Sequence, residues 1–265
     1  MSDHVLITTI DQRGVARLTM NRPDIRNAFN EELISEICEA MGRLNADPNV
    51  RVIVLTGAGK AFSAGADLNM MQRASKYSAA ENKDDARRLA HMLSSIYHSP
   101  KPTVALVNGP AMGGGLGLIA ACDIALGADT SFFALSEVRV GLIPAVISPF
   151  VIQAITVRQA RRYFTTGERF DAADAQRIGL LHKVVPANEL NDALEDMLGG
   201  LLVCGPHSQG LAKELIRKVA YRPLGDAVME ETAGMIAKTR ASEEGKEGVT
   251  AFLEKRKPSW LKETE

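Results

Sequence analysis

The most informative part of this chain is Asn108-Gly109-Pro110-Ala111-Met112-Gly113-Gly114-Gly115-Leu116-Gly117. It follows an apolar, strand-like run over 103–107 and leads directly into an apolar helical pattern over 116–121. Glycine accepts a positive φ and lets another group approach the main chain closely. The free N–H groups of such a loop should therefore point outward at the positive end of a helix.

A second stretch of small residues has the same setting. Ala61-Phe62-Ser63-Ala64-Gly65-Ala66-Asp67 follows another apolar run, over 52–56. Two loops of this kind at strand ends can converge on one oxygen atom from two sides, which is how backbone N–H groups form an oxyanion hole. The alternative interpretation is that both loops are merely tight turns.

The composition excludes several function classes. At 265 residues the chain is long enough for one catalytic domain with an appended helical part. The net charge of −1 gives no bulk field that favours nucleic acid. The three cysteines, Cys38, Cys122 and Cys204, lack metal-ligand spacing and indicate reduced, mostly buried thiols. The histidines supply neither a zinc site nor a Ser-His-Asp triad, so we expect no metal.

The chain shows no targeting or membrane signal. No apolar run approaches the roughly 20 residues that span a bilayer. The N-terminal residues lack a basic segment followed by an apolar one, so we expect no signal peptide. These features predict a soluble, cytoplasmic protein without a membrane or nucleic-acid partner.

Hydrophobic periodicity predicts alternating strands and helices up to about residue 135. The predicted elements are a hairpin with arms 4–10 and 14–20, helices over 30–46 and 85–97, and strands over 51–56, 103–107, 123–127 and 132–134. Residues 70–84 are polar and indicate a mobile loop or a broken helix. From Pro149 onward almost every segment has helical periodicity. Buried strands alternating with helices indicate an α/β fold with parallel pairing.

Several short motifs, in order along nearly the whole chain, resemble those of the crotonase (enoyl-CoA hydratase/isomerase) superfamily. They are Asn21-Arg22-Pro23, Asn27-Ala28-Phe29, Ala64-Gly65-Ala66-Asp67-Leu68, Asn108-Gly109, Gly113-Gly114-Gly115, Cys122-Asp123-Ile124-Ala125, Ser136-Glu137, Gly141-Leu142-Ile143-Pro144, and Phe252-Leu253-Glu254-Lys255-Arg256 with Pro258. The resemblance implies a crotonase (ClpP-like) spiral of ββα turns with a C-terminal helical part. It divides the chain into a core domain, 1–200, and a C-terminal helical trimerisation part, 201–265. The expected assembly is a homotrimer or a dimer of trimers.

The resemblance also implies a site that binds an acyl-CoA thioester and stabilises its enolate. The two oxyanion donors would be the backbone N–H groups of Ala66 and Gly114. Glu137 would be the catalytic acid/base, and the neighbouring Val138 and Val140 favour a partly apolar pocket that raises its pKa. The alternative for Glu137 is a solvated surface charge. Coenzyme A is part of the substrate, and no further cofactor is expected.

The resemblance assigns coenzyme A binding to three parts of the chain. Arg26 and Ala28 would flank the nucleotide, Ala64, Asp67 and Leu68 would wrap the adenine and pantetheine, and Phe252 and Lys255 would reach the coenzyme A of a neighbouring subunit. A lysine suits the phosphates by charge. The alternative for Lys255 is a solvated helix end that complements the helix dipole.

Gly117 is where the chain departs from the best-known hydratases of this family, which carry a second glutamate there. Glycine has no side chain to hold a water or move a proton. Syn addition of water can use one carboxylate, and so can a Δ3→Δ2 double-bond shift. The residues therefore leave hydratase and isomerase open.

A second departure favours hydration of a particular substrate class. The usual glycine-rich continuation after Pro144 is replaced by residues 145–152. This segment, Gly117 and residues 136–139 resemble bacterial hydratases of 3-methylglutaconyl-CoA or isohexenylglutaconyl-CoA, which arise in leucine and acyclic terpene breakdown.

Besides Gly117 itself, two residues near this segment are candidates for the substrate pocket. Arg139 would face the substrate only if its segment is extended; otherwise it suits a salt bridge at a subunit contact. Ser148 is the other candidate, or else the N-cap of a helix starting at Pro149.

These patterns predict an enoyl-CoA hydratase, with an isomerase as the alternative. A hypothesis of another class is a non-catalytic acyl-CoA or RNA binder on the same scaffold. The presence of Glu137 and both loops argues against loss of activity. The balanced charge argues against RNA, since phosphate contacts need concentrated lysine and arginine.

Overall fold

The computed structural model of the protein describes residues 4–261. The expectation of no signal peptide rests partly on residues 1–3, and the predicted C-terminal part includes residues 262–265; these lie outside the described residues. No helix within 4–261 is long and apolar enough to cross a membrane.

Nine strands and ten α-helices make up the described part of the chain. The strands are β1 (Leu6–Ile10), β2 (Val15–Met20), β3 (Val52–Gly57), β4 (Thr103–Val107), β5 (Ala111–Met112), β6 (Ile124–Ala128), β7 (Phe132–Ala134), β8 (Arg169–Asp171) and β9 (Lys183–Val185). The helices are α1 (Glu31–Ala46), α2 (Leu68–Ala74), α3 (Ala79–Tyr97), α4 (Gly114–Ala121), α5 (Ser148–Thr166), α6 (Ala172–Arg177), α7 (Leu190–Leu202), α8 (Pro206–Val219), α9 (Asp226–Ala241) and α10 (Glu243–Leu253).

The strands form two sheets. The larger has the order β1-β2-β3-β4-β6-β9, in which β1 is antiparallel to β2 and all other pairs are parallel. In the smaller sheet β7 pairs with β5 in parallel and with β8 in antiparallel orientation. This mixed α/β architecture with helices α8 to α10 at its C-terminal end is the predicted fold class.

The larger sheet lies between two apolar layers. Successive side chains of a strand point to opposite faces, so Ile53 and Leu55 face one layer while Val52 and Val54 face the other. The first layer holds the buried residues of α1 and α3, and the second those of α7. Burial on both faces explains why β3 and β4 are nearly continuous apolar runs.

The N-terminal predictions hold with one correction. The hairpin and α1 are confirmed, and the Asn30 side chain caps α1 by accepting the N–H of Leu33. The polar segment 70–84 is the predicted broken helix, divided between α2 and α3. The predicted start of the next helix at residue 85 is wrong. That helix begins at Ala79, because Ser78 and Glu81 form a capping box there.

The prediction that nearly everything after Pro149 is helical needs two corrections. The short strands β8 and β9 interrupt the helices, and three residues are too few to show an alternating pattern. Helix α5 starts at Ser148, with Ile147 as its N-cap residue. It is interrupted at Thr156, whose φ of 69° is not helical.

The topology brings the two glycine-containing loops to one edge of the sheet. Strands β3 and β4 are adjacent and parallel, so the loops that follow them leave at the same edge. Asn108 joins the two strand ends by accepting the Gly57 N–H at 3.2 Å and donating to the Gly57 carbonyl at 2.9 Å. An isolated parallel bridge between Ser63 and Ala111 continues this pairing into the loops.

Candidate active site

The loops after β3 and β4 are in direct contact. A Cβ atom built on Gly65 would lie 2.7 Å from the Met112 carbonyl oxygen and 3.4 Å from the Gly114 nitrogen. Gly65 also has a φ of +84°, which side chains rarely adopt. Only glycine fits here, and its absence of a side chain places Ala66 beside the start of α4.

The Ala66 N–H is free to meet a ligand. Phe29 pairs with the loop in a parallel bridge: its N–H donates to the Gly65 carbonyl at 2.7 Å, and its carbonyl accepts the Asp67 N–H at 2.8 Å. In such a bridge the residue between the two bonded neighbours directs its own N–H away from the partner strand. Within residues 4–261 the Ala66 N–H has no acceptor.

The Gly114 N–H is the second free donor. Gly114 is the first residue of α4, so no carbonyl of its own helix can accept its N–H. A Cβ atom at this position would lie 2.7 Å from Cε2 of the buried Phe29 ring. The ring thus supports the backbone from behind and restricts the position to glycine. No other described residue accepts this N–H.

Glu137 lies beside these donors. It belongs to a short 3₁₀ helix, Ser136–Val140, and a Cβ atom on Gly113 would be 3.1 Å from its Oε1. Its other oxygen, Oε2, is buried and has no hydrogen-bond partner in the described part of the chain. Burial raises the pKa of Glu137 above its usual value of 4.5. Glu137 is therefore a partly desolvated carboxyl group beside the loop that precedes α4, and a carboxyl group with a raised pKa is suited to acid/base chemistry.

There is no room for a side chain at position 117. A Cβ atom built there would lie 2.4 Å from Cγ2 and 2.9 Å from Cβ of Ile147, and 3.4 Å from Cδ1 of Leu93. Ile147 is only 3% exposed, and Leu93 is fully buried. No second carboxylate or other polar group faces Glu137 from this position.

A model of the family described as "Enoyl-CoA hydratase/isomerase" matches residues 11–263. The chain belongs to the enoyl-CoA hydratase/isomerase family. This confirms the predicted superfamily, the crotonase fold and the expectation of an enoyl-CoA hydratase enzyme at the level of the family.

Individual members of the family match over nearly the whole chain. A crystal structure of an enoyl-CoA hydratase from Shewanella pealeana is 40% identical with a TM-score of 0.94, covering 97% of this chain and 96% of its own. The structure of Pseudomonas aeruginosa AtuE is 36% identical with a TM-score of 0.93, covering 97% and 100%. A crotonyl-CoA hydratase of Syntrophomonas wolfei is 32% identical, covering 94% of this chain and 95% of its own.

Some of the residues that were predicted to bind coenzyme A lie close together. The Arg26 carbonyl accepts the Ala64 N–H at 2.8 Å, so these two predicted residues lie together, and Ala28 is buried just after them. Arg26 has a left-handed φ of 55°. The early loop and the loop after β3 thus form one surface of this enoyl-CoA hydratase/isomerase family member.

Asp67 has a structural function in this loop. Its side chain caps α2 by accepting the Asn69 and Met70 N–H groups, and it pairs with Arg22 at 3.0 Å. These contacts hold the carboxylate away from solvent, since the residue is only 5% exposed. They lower the pKa of Asp67 against the opposing effect of burial. Any contact of Asp67 with coenzyme A would therefore use its backbone.

The other predicted coenzyme A residues are on the surface. Leu68 opens α2 and is 80% exposed, beside the loop after β3. Phe252, 81% exposed, lies at the end of α10, and Lys255 follows it. The structure thus places the last two at and just after the end of α10, and not on the loops that form the site.

The structure shows what the pocket candidates Arg139 and Ser148 contact. Arg139 is exposed and its segment is a 3₁₀ helix, so the extended chain that would bring it beside Glu137 is not formed. Its side chain packs against Gly167 instead. The N-cap alternative for Ser148 is wrong, because Ile147 is the N-cap residue and the Ser148 hydroxyl donates to the Ala145 carbonyl at 2.7 Å.

Three residues that hold the site received no role from the sequence. Phe29 carries both the bridge to the loop after β3 and the packing under Gly114. Asn27, fully buried, donates to the Ala58 and Ala61 carbonyls. Asn108 joins the strand ends. All three residues belong to the family motifs in the sequence, which are the feature that could have identified them. In these motifs the asparagine side chains substitute for missing backbone partners.

Proposed function

We propose that this protein adds water across the 2,3 double bond of a 2-enoyl-CoA, with Glu137 as its only catalytic carboxylate. The observation that carries the proposal is the Glu137 carboxyl group, whose Oε1 lies against Gly113 and whose buried Oε2 has no hydrogen-bond partner among residues 4–261. The next residue, Gly114, has a free N–H. An acid/base and an oxyanion donor are thereby held within one small space.

The reaction needs one proton acceptor that later becomes the donor. Ionised Glu137 takes a proton from water as the water oxygen bonds to C3. The π electrons move toward the thioester oxygen, and the Ala66 and Gly114 N–H groups stabilise the enolate. Glu137 then returns the proton to C2 and the thioester carbonyl re-forms. Each such backbone donor contributes about 3 kcal/mol of transition-state stabilisation.

The proposed reaction is redox-neutral, and its atoms balance with water alone. Charge develops on a single oxygen, and two fixed backbone dipoles face it. The proposal therefore includes no metal or redox cofactor, and coenzyme A enters only as part of the substrate.

The proposed substrate is a branched or glutaconyl-type enoyl-CoA, as in leucine or acyclic terpene breakdown in the cytoplasm. The support is the replacement of the glycine-rich continuation by residues 145–152 together with Gly117. Ile147, from that segment, packs directly on Gly117, so the two departures from the family pattern meet in one place.

A second candidate function is Δ3→Δ2 isomerisation of an enoyl-CoA. The closed space at Gly117 favours it as much as it favours one-carboxylate hydration, because a double-bond shift also needs one base. A non-catalytic acyl-CoA or RNA binder has less support, since such a protein has no need of a desolvated carboxylate at the oxyanion donors.

We further propose assembly as a homotrimer or dimer of trimers through the C-terminal helices, residues 201–265. Helices α8 and α9 leave an apolar groove between them, lined by residues that include Leu211, Leu215, Met229 and Ile236. Three of the exposed apolar side chains of this part, Ile216, Met229 and Val249, are more than half exposed in the single chain. Exposed apolar surface of this kind marks interaction sites.

A substrate panel tests the proposed function. The purified protein is assayed with crotonyl-CoA, 3-methylglutaconyl-CoA and a 3-enoyl-CoA, and kcat/KM is compared. The proposal predicts the largest kcat/KM for hydration of 3-methylglutaconyl-CoA. Preference for the 3-enoyl-CoA supports the isomerase, while tight acyl-CoA binding without conversion contradicts both activities.

A further inference from the structure

The Ile147 side chain occupies the space in which a side chain at position 117 would lie. The Cγ2 methyl of Ile147 lies 2.4 Å from where a Cβ atom of residue 117 would be, closer than real Cβ contacts come. Ile147 is almost fully buried as the N-cap residue of α5, so its side chain has little room to move aside. A side chain at 117 is therefore incompatible with isoleucine at 147.

This contact lies on the face of α4 that belongs to the site. Gly117 is three residues after Gly114, so both lie on the same side of the helix. The Cα–Cβ bond of a helical residue tilts toward the helix N-terminus. A side chain at 117 would thus lean toward the turn of Gly113 and Gly114, where the Glu137 carboxylate lies.

We propose that Ile147 is a specificity-determining residue, which closes the position from which a second carboxylate would reach the substrate. The inference rests on the proposed function and concerns the same site. Where a second glutamate at position 117 would hold water, Ile147 and Leu93 form an apolar wall. Water is then held and deprotonated from the Glu137 side alone.

A graded series at position 147 tests the proposal. The changes Ile147→Val, Ile147→Ala and Ile147→Gly are made in the wild-type chain and together with Gly117→Glu. Valine keeps the blocking Cγ2 methyl, alanine keeps only Cβ, and glycine removes both. Glycine is tolerated at an N-cap. Valine is the matched control, because it shortens the side chain without opening the space.

The expected results follow this order. Gly117→Glu alone displaces the start of α4 and lowers kcat/KM by about 100-fold, the effect of losing an oxyanion donor. Adding Ile147→Val restores nothing, Ile147→Ala restores part, and Ile147→Gly restores about tenfold or more. Contacting residues show such non-additivity. Equal kcat/KM for Gly117→Glu and wild type, or no rescue by Ile147→Gly, overturns the proposal.

The pH profile separates a catalytic consequence from simple repacking. The acid limb of kcat/KM for wild type is expected to report one ionisation, that of Glu137. The double variant Gly117→Glu/Ile147→Gly is expected to report a second ionisation, because two nearby carboxylates titrate as a coupled pair. Recovery of thermal stability with a single ionisation would show a purely structural contact and overturn the proposal.

The proposed function and this inference fail in different ways. If Glu137→Gln in the wild-type chain leaves hydration unchanged, the proposed function fails. If Glu137 is essential but the series at 147 has no graded effect on Gly117→Glu, only this inference fails.

Discussion

Gly113 and Glu137 are in contact: a methyl group on Gly113 would end 3.1 Å from Oε1 of the glutamate. Gly113 directly precedes Gly114, whose N–H is a free donor at the start of α4. The proposed acid/base therefore lies against one residue of the loop, and the proposed oxyanion donor belongs to the next. This arrangement brings the proposed acid/base chemistry and the proposed charge stabilisation together in one loop.

Replacing Glu137 with glutamine should remove catalysis and keep binding. The amide has nearly the same shape but cannot accept a proton, so kcat should fall by more than about 100-fold. Affinity for a non-reactive acyl-CoA, measured by calorimetry, should stay within about threefold of the wild-type value. A tenfold change would correspond to about 1.4 kcal/mol of binding free energy. The control is Glu39→Gln at an exposed carboxylate. Turnover of Glu137→Gln within tenfold of wild type would remove Glu137 from the mechanism.

The raised pKa of Glu137 should appear in both activity and stability. Since the ionised form is the base, kcat/KM should fall as pH falls through a value above 4.5, the usual value for this group. Burial disfavours the charged form, so the folded protein loses stability as pH rises through that range. Glu137→Gln should therefore unfold at a higher temperature than wild type at pH 7. The difference should vanish near pH 4, and its persistence there would contradict the cause given.

Adding one methyl group at Gly65 should push the two loops apart. Gly65→Ala places Cβ 2.7 Å from the Met112 carbonyl and strains a φ of +84°. We expect a fall in kcat of about 10²–10³-fold, as for loss of one oxyanion donor. The matched control is Gly141→Ala, which has a similar φ of +75° but open space around its Cβ. That control should lower the unfolding temperature without the same loss of kcat; equal losses would assign the effect to strain.

Lys213 should hold α8 against the core. Its ammonium is 2.6 Å from Asp123 Oδ2 and 2.8 Å from the Lys101 carbonyl, and the residue is 9% exposed. Lys213→Met leaves the partly exposed Asp123 carboxylate without its cation and removes a buried ammonium from the core edge, which should cost about 2 kcal/mol in urea unfolding. Lys218→Met, at an exposed pair with Glu214, should cost less than about 1 kcal/mol. Equal costs would show that burial does not strengthen the Lys213 contact.

Much of the fold could be predicted from short-range patterns. The predicted strand over 103–107 coincides with β4, because a strand buried on both faces is a continuous apolar run. The two small-residue loops were recognisable because glycine is required where chains touch, as at Gly65. Glu137 was recognisable from the family motif, and the structure adds its unpartnered oxygen and its contact with Gly113.

The rest depended on contacts between distant parts of the chain. The side chain of Asp67 suits a ligand contact as well as a helix cap, and only the positions of Arg22 and the α2 N-terminus decide for the cap. The packing of Ile147 on Gly117 joins α4 to the start of α5, and no periodicity reports it. The extended segment on which a pocket role of Arg139 depended is not formed, because residues Ser136–Val140 form a 3₁₀ helix.

Hydration of an enoyl-CoA with Glu137 as the one catalytic carboxylate is the proposal on which the other predictions depend. The most direct measurement incubates the purified protein with 3-methylglutaconyl-CoA, crotonyl-CoA and a 3-enoyl-CoA in H₂¹⁸O, with mass spectrometry of the products. We expect the mass gain of one heavy water, largest for 3-methylglutaconyl-CoA and lost in Glu137→Gln. Mass-neutral conversion of the 3-enoyl-CoA, with no uptake of ¹⁸O from any substrate, would contradict hydration and identify an isomerase.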